Sequence, residues 1–427
     1  METNNIIKYR REFHKYPEIG WREYRTTARI AEILQEIGFE NIKVGKDAVD
    51  IYSIVDAVKL TEDECKYEMK RAVEQGANVN WVLKTEGYTG VVAEFNSGKK
   101  GPVIGFRFDI DALPYEEPKE IGFKPFDEGY ISDNSKKVHA CAHDGHTAIG
   151  LGLAEEIIKN KSNIKGKIKL FFQPAEETFS GAESIVAKGH LDDVDYFVGM
   201  HIAVSSNNLP LLSKSIACGC NDFLSVRQID VYYEGKSAHP CGASHEGKNA
   251  LLAACTAALN LHSIAPHEEG LFRVNVGEIH AGVVANTIAP NALMKVEYRG
   301  ENENISKYAK SRVETIIDSA AKMYDLKYHI KDYGEVPTAK SDVEMMNKVR
   351  EAAKKISYYE YICDYGNVSG SDDASVMMRK VQSNGGKSVY IGLGANVTEP
   401  VHNARFDFDE EILSPAVELC LNIIKDI

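Results

Sequence analysis

The sequence predicts an α/β fold on a largely parallel sheet, with a second domain inserted into the first. Short apolar strands alternate with helical segments over residues 1–216 and again from 335 to 427, as in parallel-sheet domains. Between 217 and 334 the order becomes strand, helix, strand, strand, helix, strand, which is the split, ferredoxin-like β-α-β-β-α-β unit. We therefore expect one discontinuous domain at 1–216 and 335–427 and an inserted domain at 217–334.

In the first domain, the elements are recognised by the period of their apolar residues and by the glycines and prolines that end them. Thr27 to Ile37 keep helical spacing up to Gly38, so an amphipathic helix is expected there. Apolar runs that end in polar side chains are expected to be strands. Further helices are predicted at 60–76, at 149–158 and from about 343 and 409, strands at 90–95, 103–111, 167–172, 196–200 and 387–393, and a glycine-rich turn at Gly366–Ser371.

Six elements are predicted in the inserted domain. Alternating apolar residues indicate the strands, and runs with helical spacing indicate the helices. The strands are expected at 227–233, 272–279, 293–298 and 327–333, and the helices at 248–264 and 305–324.

Length, net charge and cysteine content exclude several classes of protein and of binding partner. A chain of 427 residues exceeds what one hydrophobic core usually serves, which favours two domains. The net charge of −13 and the absence of a dense basic cluster argue against nucleic acid and anionic membranes as partners. There is neither a long apolar run nor a positively charged leader. Eight scattered cysteines are typical of reduced thiols, so we expect a cytoplasmic enzyme with a small-molecule substrate.

The stretch from His139 to His146 contains four side chains that commonly bind metals. Cys141 and His143 are two residues apart, so on an extended or tightly turned backbone the thiolate and the imidazole can point to the same place. A histidine-rich surface loop with a buried cysteine is the alternative. Other polar residues that follow apolar strands favour the metal site, because such residues meet at one edge of a parallel sheet.

Two adjacent glutamates, Glu176 and Glu177, follow the strand predicted at 167–172. One carboxylate can bind a divalent ion while the other takes a proton from the water bound to that ion. The ion lowers the pKa of this water from about 15.7 toward about 7, which suits the hydrolysis of an amide. Acidic doublets are also common on solvated surfaces, but this one follows an apolar strand and Pro174. His201 ends another strand, and His402 lies in a later loop.

Five separated motifs occur along the chain. They are His14-x-x-Pro17-Glu18-x-Gly20, Phe106-Arg107-x-Asp109-x-Asp111, His139-Ala140-Cys141-x-His143-Asp144-Gly145-His146, Phe172-Gln173-Pro174-Ala175-Glu176-Glu177 and Gly199-Met200-His201. In these motifs, in their order and over nearly its whole length, the chain resembles the aminoacylase and amidohydrolase branch of the dinuclear-metal peptidases that include carboxypeptidase G.

The resemblance implies roles for particular residues. Glu176 would be the general base, and Asp109 would orient the metal ligands without binding the metal itself. Arg107 takes the place of a metal-binding histidine of the carboxypeptidase relatives. Ala142 stands where the branch usually has glycine, and a positive φ there would cost roughly 1 kcal/mol. The implied metal ligands are Cys141, His143, Glu177, His201 and His402.

Three residues of the inserted domain resemble further parts of the family's site. His239 matches a lid histidine that reaches the scissile carbonyl, often across a dimer; a turn histidine at a strand end is the alternative. Asn286 and Arg299 match residues that bind the carboxylate of the substrate, and we expect them to hold it together, since a guanidinium donates two parallel hydrogen bonds. An asparagine that caps a loop and a solvated arginine are the alternatives.

The resemblance therefore implies a metal-dependent amidohydrolase with an inserted lid or dimerisation domain. Two divalent ions, Mn²⁺ or Zn²⁺, are expected, with the cysteine favouring zinc. The expected substrate is p-aminobenzoyl-glutamate or a similar N-acyl amino acid, and the expected assembly is a homodimer or a heterodimer with a homologous subunit. A broader deacylase, which would include indole-acetyl-aspartate among its substrates, and a non-catalytic partner subunit remain as alternatives.

Overall fold

The computed structural model describes residues 3–54, 59–368 and 370–427. Contacts divide the chain into two compact units, Met1–Asn221 with Ala339–Ile427, and Asp222–Thr338. The boundaries expected from the sequence, after residues 216 and 334, fall inside the strands Ser215–Cys220 and Lys327–Val336. The division therefore comes a few residues later, where both strands have ended.

The first part of the first unit begins with helices that have clear local signals. The helix expected to stop at Gly38 does so, because Gly38 adopts a φ of 110° and its amide bonds to the carbonyls of Leu34 and Gln35. A capping box between Thr61 and Glu64 begins the charged helix. In chain order the elements are α1 (Thr3–Lys15), α2 (Tyr24–Ile37), β1 (Asn41–Val44), α3 (Glu62–Glu74), α4 (Val79–Lys84), β2 (Val91–Asn96), β3 (Val103–Asp109), α5 (Lys124–Asp127), α6 (His143–Lys159), β4 (Lys167–Gln173), α7 (Gly181–Ala187), β5 (Tyr196–Ile202), β6 (Ser205–Ser206), β7 (Leu209–Pro210) and β8 (Ser215–Cys220).

The second unit has the predicted β-α-β-β-α-β order. Its four strands form an antiparallel sheet in the order β10-β11-β9-β12, so that β10 and β12 are the edges. The elements are β9 (Ser225–Glu234), α8 (Ala250–Leu261), β10 (Phe272–Ala281), β11 (Asn291–Gly300), α9 (Glu303–Met323) and β12 (Lys327–Val336). The buried faces of both helices and the sheet form a core of their own.

The chain then returns to the first unit and completes its large sheet. The added elements are α10 (Val343–Ala353), β13 (Tyr361–Gly366), α11 (Ala374–Ser383), β14 (Lys387–Leu393) and α12 (Leu413–Asp426). The predicted turn at Gly366–Ser371 includes position 369, which lies outside the described residues. Among the residues that are described, no helix combines the length and apolarity needed to cross a bilayer.

The large sheet has eight strands in the order β1-β2-β4-β3-β5-β14-β8-β13. The four central strands β4, β3, β5 and β14 are mutually parallel, and antiparallel pairs flank them at β2 and β8. The carboxyl ends of the parallel strands therefore meet at one edge, where ligands of α/β proteins collect. The α/β fold predicted from the sequence is confirmed.

Helix α6 differs from its predicted extent. Its first residue is His143, whereas the apolar pattern suggested a start at 149. The helix is buried on nearly all sides through Leu153, so periodicity does not mark its start. As a consequence, His143 and His146 lie in the first turns of a helix, and Cys141 lies just before it.

Candidate metal centre

Residues from four separate segments of the first unit meet at the carboxyl ends of the central strands. Cys141 and His143 come from the start of α6, Glu176 and Glu177 from the turn after β4, and His201 from the end of β5. The loop after β14 supplies His402. All six residues are candidates that were identified from the sequence.

The ligand atoms of these residues lie close together. Cys141 Sγ is 3.4 Å from His201 Nε2, and His402 Nε2 is 3.4 Å from Glu177 Oε2. Three overlapping groups each have their ligand atoms within 4.8 Å of one another. These groups are Cys141–His143–His201, Cys141–Glu177–His402 and His143–Glu176–Glu177.

Two of the histidines have their tautomers fixed by backbone carbonyls. His143 Nδ1 donates to the carbonyl of Asp111 at 2.8 Å, and His201 Nδ1 donates to the carbonyl of Ile202 at 2.6 Å. A carbonyl only accepts, so each neutral ring keeps its lone pair on Nε2, the atom that faces the cluster. Burial lowers the pKa of His201 to about 3, which keeps this imidazole neutral and able to bind a metal.

Two buried polar atoms in this cluster lack a hydrogen-bond partner among the described residues. They are His143 Nε2 and Glu177 Oε1. Both are atoms whose lone pairs bind divalent cations. Their convergence with a thiol and two further imidazoles fits a divalent cation. The residues present therefore suit the group that the sequence implied.

Acidic groups crowd this cluster. Burial and the charges of Asp372 and Glu177 raise the pKa of Glu176 well above its usual range, and burial raises the pKa of Glu177 to about 7. Burial and Glu177 also raise the pKa of the Cys141 thiol. A bound cation would stabilise the charged forms of these three groups.

Asp111, which the sequence did not single out for a role, orients three residues of the cluster. The Asp111 carboxylate accepts the amides of Glu176 at 3.1 Å and Glu177 at 3.0 Å, and its carbonyl accepts from His143. The Asp109 carboxylate contacts His146 Nδ1 and the guanidinium of Arg107, and it also lies 3.5 Å from His143 Nε2. The signal for Asp111 was available, since both aspartates follow the same buried strand.

Arg107 compensates a buried group of carboxylates beside this cluster. It is fully buried, and its guanidinium lies 2.7 Å from Asp109, 3.0 Å from Asp372 and 3.0 Å from Asp373. Its Nε also donates to Gln173 at 2.8 Å. Asp372 and Asp373 lie next to Glu176 in turn, with carboxylate oxygens within 4.8 Å. The sequence patterns assigned no role to either aspartate.

Three segments around the cluster contain a non-glycine residue in the left-handed region. The φ angles are 62° at Ala142, 54° at Ala175 and 66° at His402. Ala142 therefore has the positive φ considered from the sequence, at a cost of roughly 1 kcal/mol relative to glycine. Such backbone outliers cluster at functional sites because the surrounding structure holds them in place.

The three candidates of the second unit do not form one group within that unit. His239 is exposed, and its Nδ1 accepts the amides of Cys241 at 3.2 Å and Gly242 at 3.1 Å. Asn286 is exposed in the loop before β11 and shares that end with His239, because the Ile288 amide donates to the Ala238 carbonyl. Arg299 is at the far end of β11 and pairs with Glu297 at 2.8 Å.

The length of β11 separates Asn286 from Arg299. The strand runs from Asn291 to Gly300, and at about 3.3 Å per residue Asn291 and Arg299 are roughly 26 Å apart. One carboxylate cannot contact both side chains within one chain. The expectation that Asn286 and Arg299 hold the same group together is therefore wrong for a single chain.

The chain is similar to known proteins along its length. Residues 105–426 match the model of Peptidase family M20/M25/M40. The chain is 38% identical to a p-aminobenzoyl-glutamate hydrolase subunit homolog of Haemophilus influenzae, covering 100% of this chain and 99% of that protein. It is 39% identical to the indole-3-acetyl-aspartic acid hydrolase of Enterobacter agglomerans, covering 97% and 93%.

The chain is also similar to a solved structure over its whole length. The aminobenzoyl-glutamate utilization protein from Klebsiella pneumoniae superimposes with a TM-score of 0.81 at 34% identity, covering 99% of this chain and 96% of that one. Full-length similarity, the α/β fold and the converging metal-binding side chains agree. The chain belongs to peptidase family M20/M25/M40.

Proposed function

We propose that this chain is a divalent-metal-dependent amidohydrolase that cleaves the amide of an N-acyl amino acid, with p-aminobenzoyl-glutamate as its substrate. The observation that carries the proposal is the convergence of Cys141, His143, Glu177, His201 and His402 around Glu176. The similarity to relatives named for hydrolysis of acylated glutamate and aspartate supports the substrate class.

Glu176 is the proposed general base. Its Oε2 lies 4.0 Å from His143 Nε2, beside the cluster and next to Asp372 and Asp373. When bound, a divalent cation polarises the scissile carbonyl and acidifies water. Glu176 takes the proton of the attacking water on its carboxylate and then delivers it to the leaving amide nitrogen.

Two cations per chain are proposed, because five ligands exceed the needs of one tetrahedral ion. Imidazole and carboxylate ligands suit manganese or zinc, and the Cys141 thiolate favours zinc. His143 and His201 would present Nε2 to the cations, and Glu177 and Cys141 would complete the set with His402. Elemental analysis of the purified chain measures the number and the identity.

Association with a second, homologous chain is proposed through the second unit. Helix α8 exposes Leu252 and Leu259, one of them 76% exposed, and β10 is an edge strand with Ile279 exposed beside it. Unpaired edges and apolar helix faces favour pairing with another chain. The partner is either a copy of this chain or a homologous subunit.

The test for a shared site uses mixed dimers. If His239 serves the site of a partner chain, His239→Ala and Glu176→Gln chains are each nearly inactive alone, and mixing them restores part of the activity. The restored fraction comes from dimers in which one site has both an intact His239 and an intact Glu176. Verified mixed dimers without activity would show that His239 acts in its own chain or has no catalytic role.

Substrate preference separates the main proposal from the broader deacylase. We expect a clear preference, in kcat/KM, for p-aminobenzoyl-glutamate over its aspartate analogue and over N-acetyl-leucine. Comparable kcat/KM on N-acetyl-leucine or on indole-acetyl-aspartate would favour the broader enzyme. Indole-acetyl-aspartate is included in this comparison because one relative, 39% identical to this chain, is named an indole-3-acetyl-aspartic acid hydrolase.

Arg299 is the proposed partner of a substrate carboxylate. Arg299→Ala should raise KM about tenfold and change kcat less, because a charged hydrogen bond to the substrate contributes about 1.5 kcal/mol. Arg273→Ala is the matched control: Arg273 is the cross-strand neighbour of Arg299 on β10 and is exposed. An equal effect of both substitutions would indicate a general electrostatic contribution in place of a specific contact.

A cytoplasmic location is also proposed. No disulfide joins any of the eight cysteines, all of which lie in the part of the chain that the structure describes, and this suits a reducing compartment. Fractionation of cells that produce the protein would measure its location directly.

A further inference from the structure

The turn that carries Glu176 and Glu177 is held by three consecutive backbone amides. The amides of Glu176 and Glu177 donate to the Asp111 carboxylate, as described above. The preceding amide, that of Ala175, donates to Oε1 of Glu23 at 2.8 Å. Successive amides of this kind form a concave donor site that usually binds an anion. Here two buried carboxylates of the protein occupy it.

The position of the Glu23 side chain is fixed by its burial and by a second hydrogen bond. It is fully buried at the start of α2, and its second oxygen, Oε2, accepts the hydroxyl of Thr89 at 2.6 Å. Burial and the charge of Asp111 raise the pKa of Glu23 well above its usual range. In either protonation state Oε1 accepts the amide of Ala175.

The segment before Glu23 fits the same turn. A Cβ on Gly20 would lie 3.2 Å from both Cα and Cβ of Ala175, so the glycine permits the close approach. Trp21 Nε1 donates to the hydroxyl of Ser180 at 2.8 Å, at the other side of the turn. The sequence assigned no role to the motif from His14 to Gly20. In the structure this motif ends where the chain packs against the turn and helps to support it.

We propose that Glu23 is a positioning residue for Glu176 and Glu177: its carboxyl holds the Ala175 amide and so fixes the left-handed turn from which both side chains project. Ala175 has a φ of 54°, a conformation that alanine adopts only when its surroundings hold it there. Without the Glu23 contact the turn can relax, and both the metal ligand and the base lose their position. The inference rests on the proposed metal-dependent function.

The test measures the affinity of metal-free protein for Zn²⁺, by competition with a chromophoric chelator, together with kcat and KM. Glu23→Ala should raise the Zn²⁺ dissociation constant 10- to 100-fold, as for other residues that support metal ligands, and lower kcat with little change in KM. Glu23→Gln keeps the length and an acceptor oxygen, so its affinity should stay within threefold of the parent. Glu23→Asp keeps the acid but is too short to reach the amide, and its affinity should fall about tenfold.

Glu18→Ala is the matched control. Glu18 is equally buried in the same segment, but its side chain accepts the amides of Arg25 and Thr26 at 3.1 and 2.7 Å, away from the turn. It should lower the thermal midpoint without changing Zn²⁺ affinity. If Glu23→Ala does not fold, the pair of Gln and Asp variants decides.

Unchanged Zn²⁺ affinity of Glu23→Asp, or impaired affinity of Glu23→Gln with a normal Glu23→Asp, would overturn the positioning role. Failure of the unsubstituted protein to bind Zn²⁺ or to hydrolyse any N-acyl amino acid would instead overturn the proposed function. The two failures are therefore distinguished by whether the defect is present in the parent protein.

Discussion

Glu176→Gln should lower kcat by about 10³-fold or more while the protein keeps its metal. The amide of glutamine has nearly the shape of the carboxyl group but cannot accept the proton of the attacking water, and general-base catalysis contributes roughly 10²- to 10⁴-fold. KM should change little, because Glu176 is proposed to act on the water and not on the substrate. Steady-state kinetics with elemental analysis of the same samples measures both effects.

Glu177→Gln is the paired control, since the two residues are adjacent and donate their amides to the same Asp111 carboxylate. It should lose metal, because the carboxylate that faces His402 is a proposed ligand. Near-normal turnover of Glu176→Gln, or loss of metal from Glu176→Gln with retention in Glu177→Gln, would contradict the division of roles between these glutamates.

Arg107→Met should lower the free energy of unfolding of the first unit by about 4 kcal/mol. The substitution leaves the buried carboxylates of Asp109, Asp372 and Asp373 without their cation, and removal of one partner of a buried ion pair typically costs 3–5 kcal/mol. Urea unfolding of metal-free protein can be followed by tryptophan fluorescence. The chain has 2 tryptophans, Trp21 and Trp81, and both lie in the first unit.

Arg350→Met provides the comparison for a surface pair. Arg350 pairs with Asp364 in the same unit, but the two side chains are 26% and 58% exposed. Solvent screens this pair, so its removal should cost less than about 1 kcal/mol. A similar loss from both variants would mean that the buried group around Arg107 is stabilised mainly by its other hydrogen bonds, such as those from Tyr390 and Gln173.

Much of the site was predictable because its chemistry lies in short motifs. Cys141 and His143, and likewise Glu176 and Glu177, are near neighbours in sequence, so their types and spacing indicate a metal site before any fold is known. The strand pattern also indicated His201 and His402, which come from distant segments, and the resemblance implied that both are metal ligands. The structure brings these residues together at the carboxyl ends of parallel strands, as the alternating pattern of strands and helices led us to expect.

The residues that support the turn of Glu176 and Glu177 were harder to predict from the sequence. Asp109 and Asp111 are both aspartates at the end of β3, and sequence spacing does not distinguish which one accepts the amides of the glutamate turn. The contact between Glu23 and Ala175 joins residues 152 positions apart. The sequence also suggested one subsite for Asn286 and Arg299, whereas Asn286 lies in the loop before β11 and Arg299 lies near the far end of that strand.

The sequence by itself determined the class of fold, the family and the residue types available to bind metal. Those features depend on periods of 2 and 3.6 residues and on short motifs, all of which are local along the chain. Only the tertiary structure decided that Asp111 and Glu23 hold the glutamate turn and that Arg107 compensates Asp109, Asp372 and Asp373. These contacts depend on strand order and register, which bring distant residues together and which no local pattern records.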